Sequence, residues 1–380
     1  MDSNLFTILS SIVLFQFVLL SFFLFTVRKG KRLSNLLLAS FLLLMAINIA
    51  DGLLTYYRFY QQFPALALIE DSFILLYGPL IFLYTRSIIY KNFKPSAKTL
   101  FHSIPFLILL IISFIGYHFQ PAGQQRMIQN AIVEHQLPLV LYLMIVAIHV
   151  HILIYLFLAW REVRIYRAKI KEILSSIHRI NLDWLSFMIY SLGFLLVLSL
   201  VNSLVPLTSF KAYVDAGLVV VFVFLFFFVN AIVIKGLRHP EIFSGIEEPE
   251  AIRKYKGSTL TAAERDDLQS RLTALMIQKK LFLNTEITLE DLSQKLSVSS
   301  KKLSQLLNET FRQNYFDFIN SYRIEEAERL ITNSKDPKLT VLEVMYQAGF
   351  NSKSSFNTLF KKKTGLTPSE YKKRAGTHPN

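Results

Sequence analysis

Seven stretches of about 20 mostly apolar residues occupy the first 235 positions of the sequence: Leu5–Val27, Leu33–Leu54, Ala65–Tyr84, Leu100–Phe119, Leu137–Trp160, Leu182–Val205 and Tyr213–Ile234. As helix, each is long enough to cross a hydrocarbon layer of ~30 Å. A helix that is apolar all round has no face for water, and seven in succession exceed what one soluble core buries. Residues 1–235 are therefore expected to form a polytopic seven-helix membrane domain. The character then changes. Residues 236–260 mix Gly, Pro and charge without periodicity and read as a linker, and 261–380 have the polarity of a soluble domain.

The loops give an orientation, because Lys and Arg are retained on the cytoplasmic side. After spans one, three and five stand Arg28, Lys29, Lys31 and Arg32; Arg86, Lys91, Lys94 and Lys98; and Arg161, Arg164, Arg167, Lys169, Lys171 and Arg179. After spans two, four and six stand only Arg58, Arg126 and Lys211. The N-terminus is expected outside and the C-terminal domain in the cytoplasm. No basic residue precedes the first span and "RKGKR" follows it, so it reads as an uncleaved anchor. Gly78 and Pro79 in "YGPLIFLY" predict a kink within the third span.

Asp51, Glu70, Asp71 and Asp215 fall toward the outer ends of spans two, three and seven. Two readings stand: a solvated rim paired with Arg58 or Lys211, and an outward-facing acidic pocket for an unidentified signal molecule. The stretch "REVRIYRAKIKEILSSIHRINLDWL", Arg161–Leu185, carries Ile165, Ile170, Ile173, Leu174 and Ile177 at helical spacing. It reads as a basic amphipathic helix on the inner leaflet or as a surface that contacts the soluble domain. With no cysteine, disulfides, thiolate metal sites and thiol nucleophiles are excluded. His149 and His151, two apart, face different sides of a helix. No metal-ligand cluster, phosphate loop or nucleophile elbow is present, so neither catalytic residues nor a metal or cofactor is expected, and the chain does not read as an enzyme.

The soluble part reads as about seven helices without strands. Thr261-Ala-Ala-Glu264, Thr340-Val-Leu-Glu343 and Thr367-Pro-Ser-Glu370 each fit a capping box, and Thr288-Leu-Glu-Asp291 is a weaker version. Two segments repeat: "TLEDLSQKLSVSSKKLSQLLNETF", 288–311, and "TVLEVMYQAGFNSKSSFNTLFKKK", 340–363. Each predicts a capped helix, a tight turn and a second helix beginning at Ser299 or Ser352, the helix-turn-helix arrangement. Gly349 suits the positive φ of the second turn, whereas Ser297 holds the same place in the first at some conformational cost. Leu303, Leu306 and Leu307 form an apolar stripe matched 53 residues later by Phe356, Leu359 and Phe360. Opposite it lie Lys301, Ser304, Gln305 and Asn308, matched by Ser354, Asn357, Thr358 and Lys361, side chains that can read base edges. Lys353, Lys361, Lys362, Lys363, Lys372, Lys373 and Arg374 supply charge for phosphates. Residues 251–380 hold 22 Lys and Arg against 14 Asp and Glu, a net +8 of the whole chain's +14.

Residues 285–374 resemble the DNA-binding domain of the AraC (arabinose-regulator) family of bacterial transcription factors, above all in "AGFNSKSSFNTLFKKKTGLTPSEYKKR" and "YFDFINSYRIEEAERLI". The resemblance implies two helix-turn-helix units joined by a long helix, Tyr315–Ile331, whose recognition helices enter successive major grooves of double-stranded DNA. By position it makes Lys301, Ser304, Gln305, Lys353, Ser354, Asn357 and Thr358 base readers. One departure is "NETFRQNYF", where Arg312-Gln313-Asn314 replaces the glycine usual after the first recognition helix. The whole chain also resembles membrane-anchored members of the family. That implies a transcription regulator of the bacterial cytoplasmic (inner) membrane, with the lipid bilayer, DNA, a signal molecule, a second copy of itself and RNA polymerase as candidate partners. The other reading is a transporter or channel regulated by its C-terminal domain.

Overall fold

The computed structural model describes residues 3–27, 31–90, 92–175, 182–238, 260–334 and 338–376. Among these it is all-helical, with sixteen α-helices and short 3-10 segments, no strand, and one isolated antiparallel bridge between Leu174 and Thr288. The chain divides into two compact units, one of residues 1–164 and 182–247, the other of residues 165–181 and 248–380. Most of the expected linker, residues 239–259, and the basic residues Arg28, Lys29, Lys91 and Arg179 lie outside the described residues.

In the first unit, α1 (Ser3–Thr26) packs on α2 (Arg32–Tyr56), which packs on α4 (Tyr77–Ile89) after the short α3 (Phe59–Gln62). There follow α5 (Ile104–Ser113), α6 (Ala122–Val133), α7 (Leu139–Lys171), α8 (Asp183–Leu204) and α9 (Val214–Arg238), with α8 against α9 and α9 against α1. Among the described residues, seven segments are long and apolar enough to cross a membrane, from Leu5–Thr26 to Lys211–Ile234. Much of their apolar surface faces outward: no residue of the segment Ala97–His118's apolar core is buried, and Ile108, Ile111, Ile112 and Ile115 are each about half exposed.

The expected kink at Pro79 takes another form. Asp71–Leu76 is a 3-10 segment and α4 starts only at Tyr77, so Pro79 falls in the first helical turn, where no intrahelical donor is lost. Gly78 serves close packing instead, since a β-carbon there would come 2.8 Å from Tyr155 Cβ of α7. The amphipathic α6, outside the seven apolar blocks, is held by Gln125 and Gln129, both buried; Gln129 Nε2 donates to the Tyr117 hydroxyl at 3.2 Å.

The second unit contains α10 (Ala262–Lys279), α11 (Leu289–Lys295), α12 (Ser300–Glu309), α13 (Tyr315–Asn333), α14 (Val341–Gln347), α15 (Lys353–Thr364) and α16 (Pro368–Gly376). Complete capping boxes start α10, α11 and α14, and the hydroxyl of Thr367 is paired with the Glu370 backbone and carboxylate at α16 in the same way. The 288–291 box, weaker in sequence because Asp is shorter than Glu, closes fully: Asp291 N donates to Thr288 Oγ1 at 3.1 Å and Thr288 N to Asp291 Oδ2 at 2.9 Å.

Two cores share α13. Tyr315, Phe318 and Ile319 from its first half pack with Leu272, Met276, Leu292, Leu303, Leu306 and Leu307. Ile324, Ala327 and Ile331 from its second half pack with Val344, Met345, Phe350, Phe356 and Phe360. One helix thus supplies a wall to both repeated segments.

Candidate nucleic-acid interface

Each repeated segment folds as a capped helix, a tight turn and a second helix. Ser299 Oγ accepts from Lys302 N at 3.3 Å to start α12, and Ser352 Oγ accepts from Ser355 N at 3.4 Å to start α15. Both turns need a left-handed residue, which is Ser297 (φ 55°) in the first and Gly349 (φ 86°) in the second. Beyond α12, where the resembled family has glycine, Arg312 itself adopts φ 54°. The backbone requirement is kept while the residue that meets it cheaply is not.

Burial of Leu303, Leu306 and Leu307, and of Phe356 and Phe360, turns the opposite faces of α12 and α15 outward. On α15, Lys353, Ser354, Thr358, Lys361 and Lys362 are exposed and Asn357 is half-buried. Ser354 Oγ lies 3.1 Å from Ser352 Oγ, which links it to the helix cap. Lys363 is drawn away from this face by an ion pair of 2.7 Å with Glu325 of α13.

The face of α12 is differently occupied. Lys301, Ser304 and Gln305 are half-buried and Asn308 is exposed. Gln305 Nε2 donates to Glu309 Oε1 of its own helix at 3.0 Å. Ser304 Oγ and Asn308 Nδ2 both donate to one carboxylate oxygen of Glu172, at 3.4 and 3.3 Å. Sequence reading passed over Glu172 because it is one acid in a basic stretch.

That stretch is stitched to α11 and α13. Leu289 N donates to Ile173 O at 2.9 Å beside the Leu174–Thr288 bridge. Ile170 and Ile173 are buried, Ile165 is exposed, and Ile177 lies outside the described residues. Of the two sequence readings of Arg161–Leu185, contact with the soluble domain describes residues 171–175. There is no separate amphipathic helix among the described residues here, since α7 runs unbroken to Lys171.

Arg323 is the second residue that sequence reading missed. Only 1% exposed, it donates from Nε to Phe282 O at 2.7 Å and from Nη2 to Asn284 O at 2.8 Å, with its guanidinium 5.7 Å from the centre of the Phe350 ring. Burial pulls its pKa down to about 10, which leaves it charged at neutral pH. Its position, four residues after Ile319 and four before Ala327 on the apolar face of α13, was the available signal. Nearby, Glu326 pairs with Arg329 at 2.7 Å and Lys280 at 3.0 Å, and these cations, Arg329 foremost, hold its pKa at about 2.

In the first unit the acids named from sequence are only partly brought together. Tyr60 donates its hydroxyl to Asp51, and Asn48 Nδ2 donates to both carboxylate oxygens of Glu70 at 3.2 and 3.3 Å. Those partners are neutral, unlike the Arg58 and Lys211 pairs of the solvated-rim reading. Asp71 and Asp215 are exposed. Asn48 also lines a cavity of about 140 Å³, together with Tyr77, His149 and Ser199 among apolar side chains. His149 Nδ1 is 2.7 Å from Ile145 O and Nε2 is 3.3 Å from Ser199 Oγ. Among the described residues no group of three or more His, Asp or Glu is placed to hold a metal ion.

Residues 292–374 match a family model described as a helix-turn-helix domain. Over 88 residues the chain is 32% identical to the uncharacterized HTH-type transcriptional regulator YdeC of Bacillus subtilis, and 33% identical to YijO, an uncharacterized HTH-type transcriptional regulator of Escherichia coli. These matches take in 23% of this chain and span 29% and 30% of those relatives. The C-terminal domain of the two-component response regulator yesN from Fusobacterium nucleatum is a solved structure with 27% identity, a TM-score of 0.24, and coverage of 29% of this chain and 99% of that one. The C-terminal part of this chain is thus a helix-turn-helix domain similar to those of bacterial transcriptional regulators.

Proposed function

We propose that the chain is a membrane-embedded, one-component transcription regulator. Its seven apolar helices cross the cytoplasmic membrane and receive a signal, and its C-terminal domain binds specific double-stranded DNA on the cytoplasmic side. The observation that carries the DNA half is the outward face of α15, where Ser354, Thr358, Lys361 and Lys362 are exposed over a buried Phe356–Phe360 stripe. Short polar groups flanked by lysines suit base edges flanked by phosphates. With α12 held on the same α13, two recognition helices would meet one face of DNA in grooves ~34 Å apart.

The membrane half is supported by the outward apolar surface of the seven segments, because a soluble chain rarely exposes contiguous apolar patches beyond a few hundred Å². The loop charges support the cytoplasmic placement of the DNA-binding domain. Asp51 and Glu70, with the small cavity that Asn48 also lines, are the proposed place for the signal; a second copy of the chain and RNA polymerase are proposed further partners.

The test is to cross-link cells that carry the tagged full-length chain and sequence the DNA recovered with the membrane fraction. A few sharp sites that share a motif are expected. No enrichment over background, with the intact chain present, refutes the proposal.

A further inference from the structure

We propose that the segment Lys171–Ser175 is an internal latch, in which the Glu172 carboxylate occupies the first recognition helix in place of DNA. This rests on the reading of α12 as a DNA-contacting helix and adds its regulation. Two donors on the outward face of that helix, the Ser304 hydroxyl and the Asn308 amide, are both spent on one oxygen of Glu172. A carboxylate is an acceptor with the charge of a phosphate, so it satisfies the donors that DNA would satisfy and repels the backbone that would bring DNA there. Glu172 and a duplex cannot use this face together.

The latch is anchored away from the reading face. Ser175 Oγ donates to Ile287 O at 2.6 Å, and Ser175 O accepts from Asn320 Nδ2 at 3.1 Å and Arg323 Nη1 at 3.2 Å. Lys171 Nζ lies 5.8 Å from the centre of the Phe316 ring. Anchor and plug are therefore separate: truncating the Glu172 side chain removes both acceptor and charge, and so frees the donors without removing the bonds that hold Ser175. Among the described residues the second recognition helix carries no such cover, as Ser354, Thr358, Lys361 and Lys362 are exposed. The asymmetry predicts a resting chain that reads DNA with α15 alone. The latch also continues directly from the end of α7 at Lys171, so a change in that helix has a covalent route to it.

Full-length wild-type and Glu172→Ala chains would each select duplexes from a random-sequence library. The wild type should enrich one conserved block, and Glu172→Ala two blocks about one helical turn apart, with roughly tenfold tighter binding, the effect of a well-placed polar contact. A second variant closes the latch. Residues opposite each other in an antiparallel bridge lie ~4.5–5.5 Å apart at Cα, within reach of a disulfide. The chain has no cysteine of its own. Leu174→Cys with Thr288→Cys should bind its selected duplex at least tenfold more weakly when oxidised than when reduced, the reduced form being the reference because Thr288 caps α11. Identical motifs and affinities for wild type and Glu172→Ala, with no effect of oxidation, overturn the latch and leave DNA binding standing. No enrichment by any of the chains overturns both.

Discussion

Gly349 and Leu283 meet backbone to backbone: a β-carbon on Gly349 would stand 2.9 Å from both the Cα and the carbonyl oxygen of Leu283. Two demands converge on this glycine, a φ of 86° that ends α14 and a contact that seats the second turn on the loop after α10. Gly349→Ala should destabilise this unit by more than the ~1–2 kcal/mol of left-handed backbone alone. At Ser297, with φ 55° in the equivalent place, Ser297→Gly should stabilise by ~0.5–1 kcal/mol. Hydrogen exchange of the full chain, followed over α11–α15, checks both signs.

Arg323 fastens the loop 282–284 to α13 with two short bonds from different nitrogens, a geometry that needs the planar fork. Arg323→Ala should cost ~3 kcal/mol or more, because the carbonyls of Phe282 and Asn284 lose their partner and a buried volume empties. Arg323→Lys should recover only part of it, since one ammonium cannot serve acceptors spread along the fork. Protection against exchange at α13 and at residues 282–284 should fall in that order: wild type, Lys, Ala.

How far such features could be read in advance differs between the two units. The apolar blocks, the four caps and the two repeated helix pairs were legible because each rests on periodicity or on contacts within four residues. Thr340 and Glu343, for example, make their box with no help from the fold. Glu172 and Arg323 were not legible, because their partners are distant in sequence: Glu172 meets Ser304 and Asn308, 132 and 136 residues on, and Arg323 meets Phe282 and Asn284, 41 and 39 residues back. Pro79 misled for a related reason. Its effect depends on where the helix begins, and α4 begins two residues before it.

Glu326 makes the second unit acid-sensitive over a defined window. Its carboxyl, held at about 2 by Arg329 and Lys280, sits below the ordinary value of 4.5. A depressed carboxylate contributes stability that is complete above its unfolded pKa and is lost as pH falls through the folded one. Protection of α13 amides, corrected for intrinsic exchange, should therefore decline between about pH 4.5 and 2. Glu326→Gln should be less stable at neutral pH by ~1 kcal/mol, the order expected of a paired surface carboxylate, and should show a shallower decline on acidification. An unchanged acid profile in that variant would assign the sensitivity to other carboxylates.

Asn357 and Lys362 lie five residues apart on α15 and should fail in different ways. Asn357 is half-buried on the outward face, where its amide offers a donor and an acceptor together, the pair an adenine edge accepts. Asn357→Ala should cost ~1–3 kcal/mol on the selected site and little on mismatched sequences, so that preference at one base pair relaxes. Lys362 is exposed and offers only charge, which phosphates of any sequence satisfy equally. Lys362→Ala should weaken all sequences alike and lower the slope of log K against log salt by about 1. Binding of each variant to the selected duplex and to single-mismatch duplexes, over a range of salt, separates the two roles. If Asn357→Ala keeps the wild-type preference at every position, the base-reading face lies elsewhere on the helix.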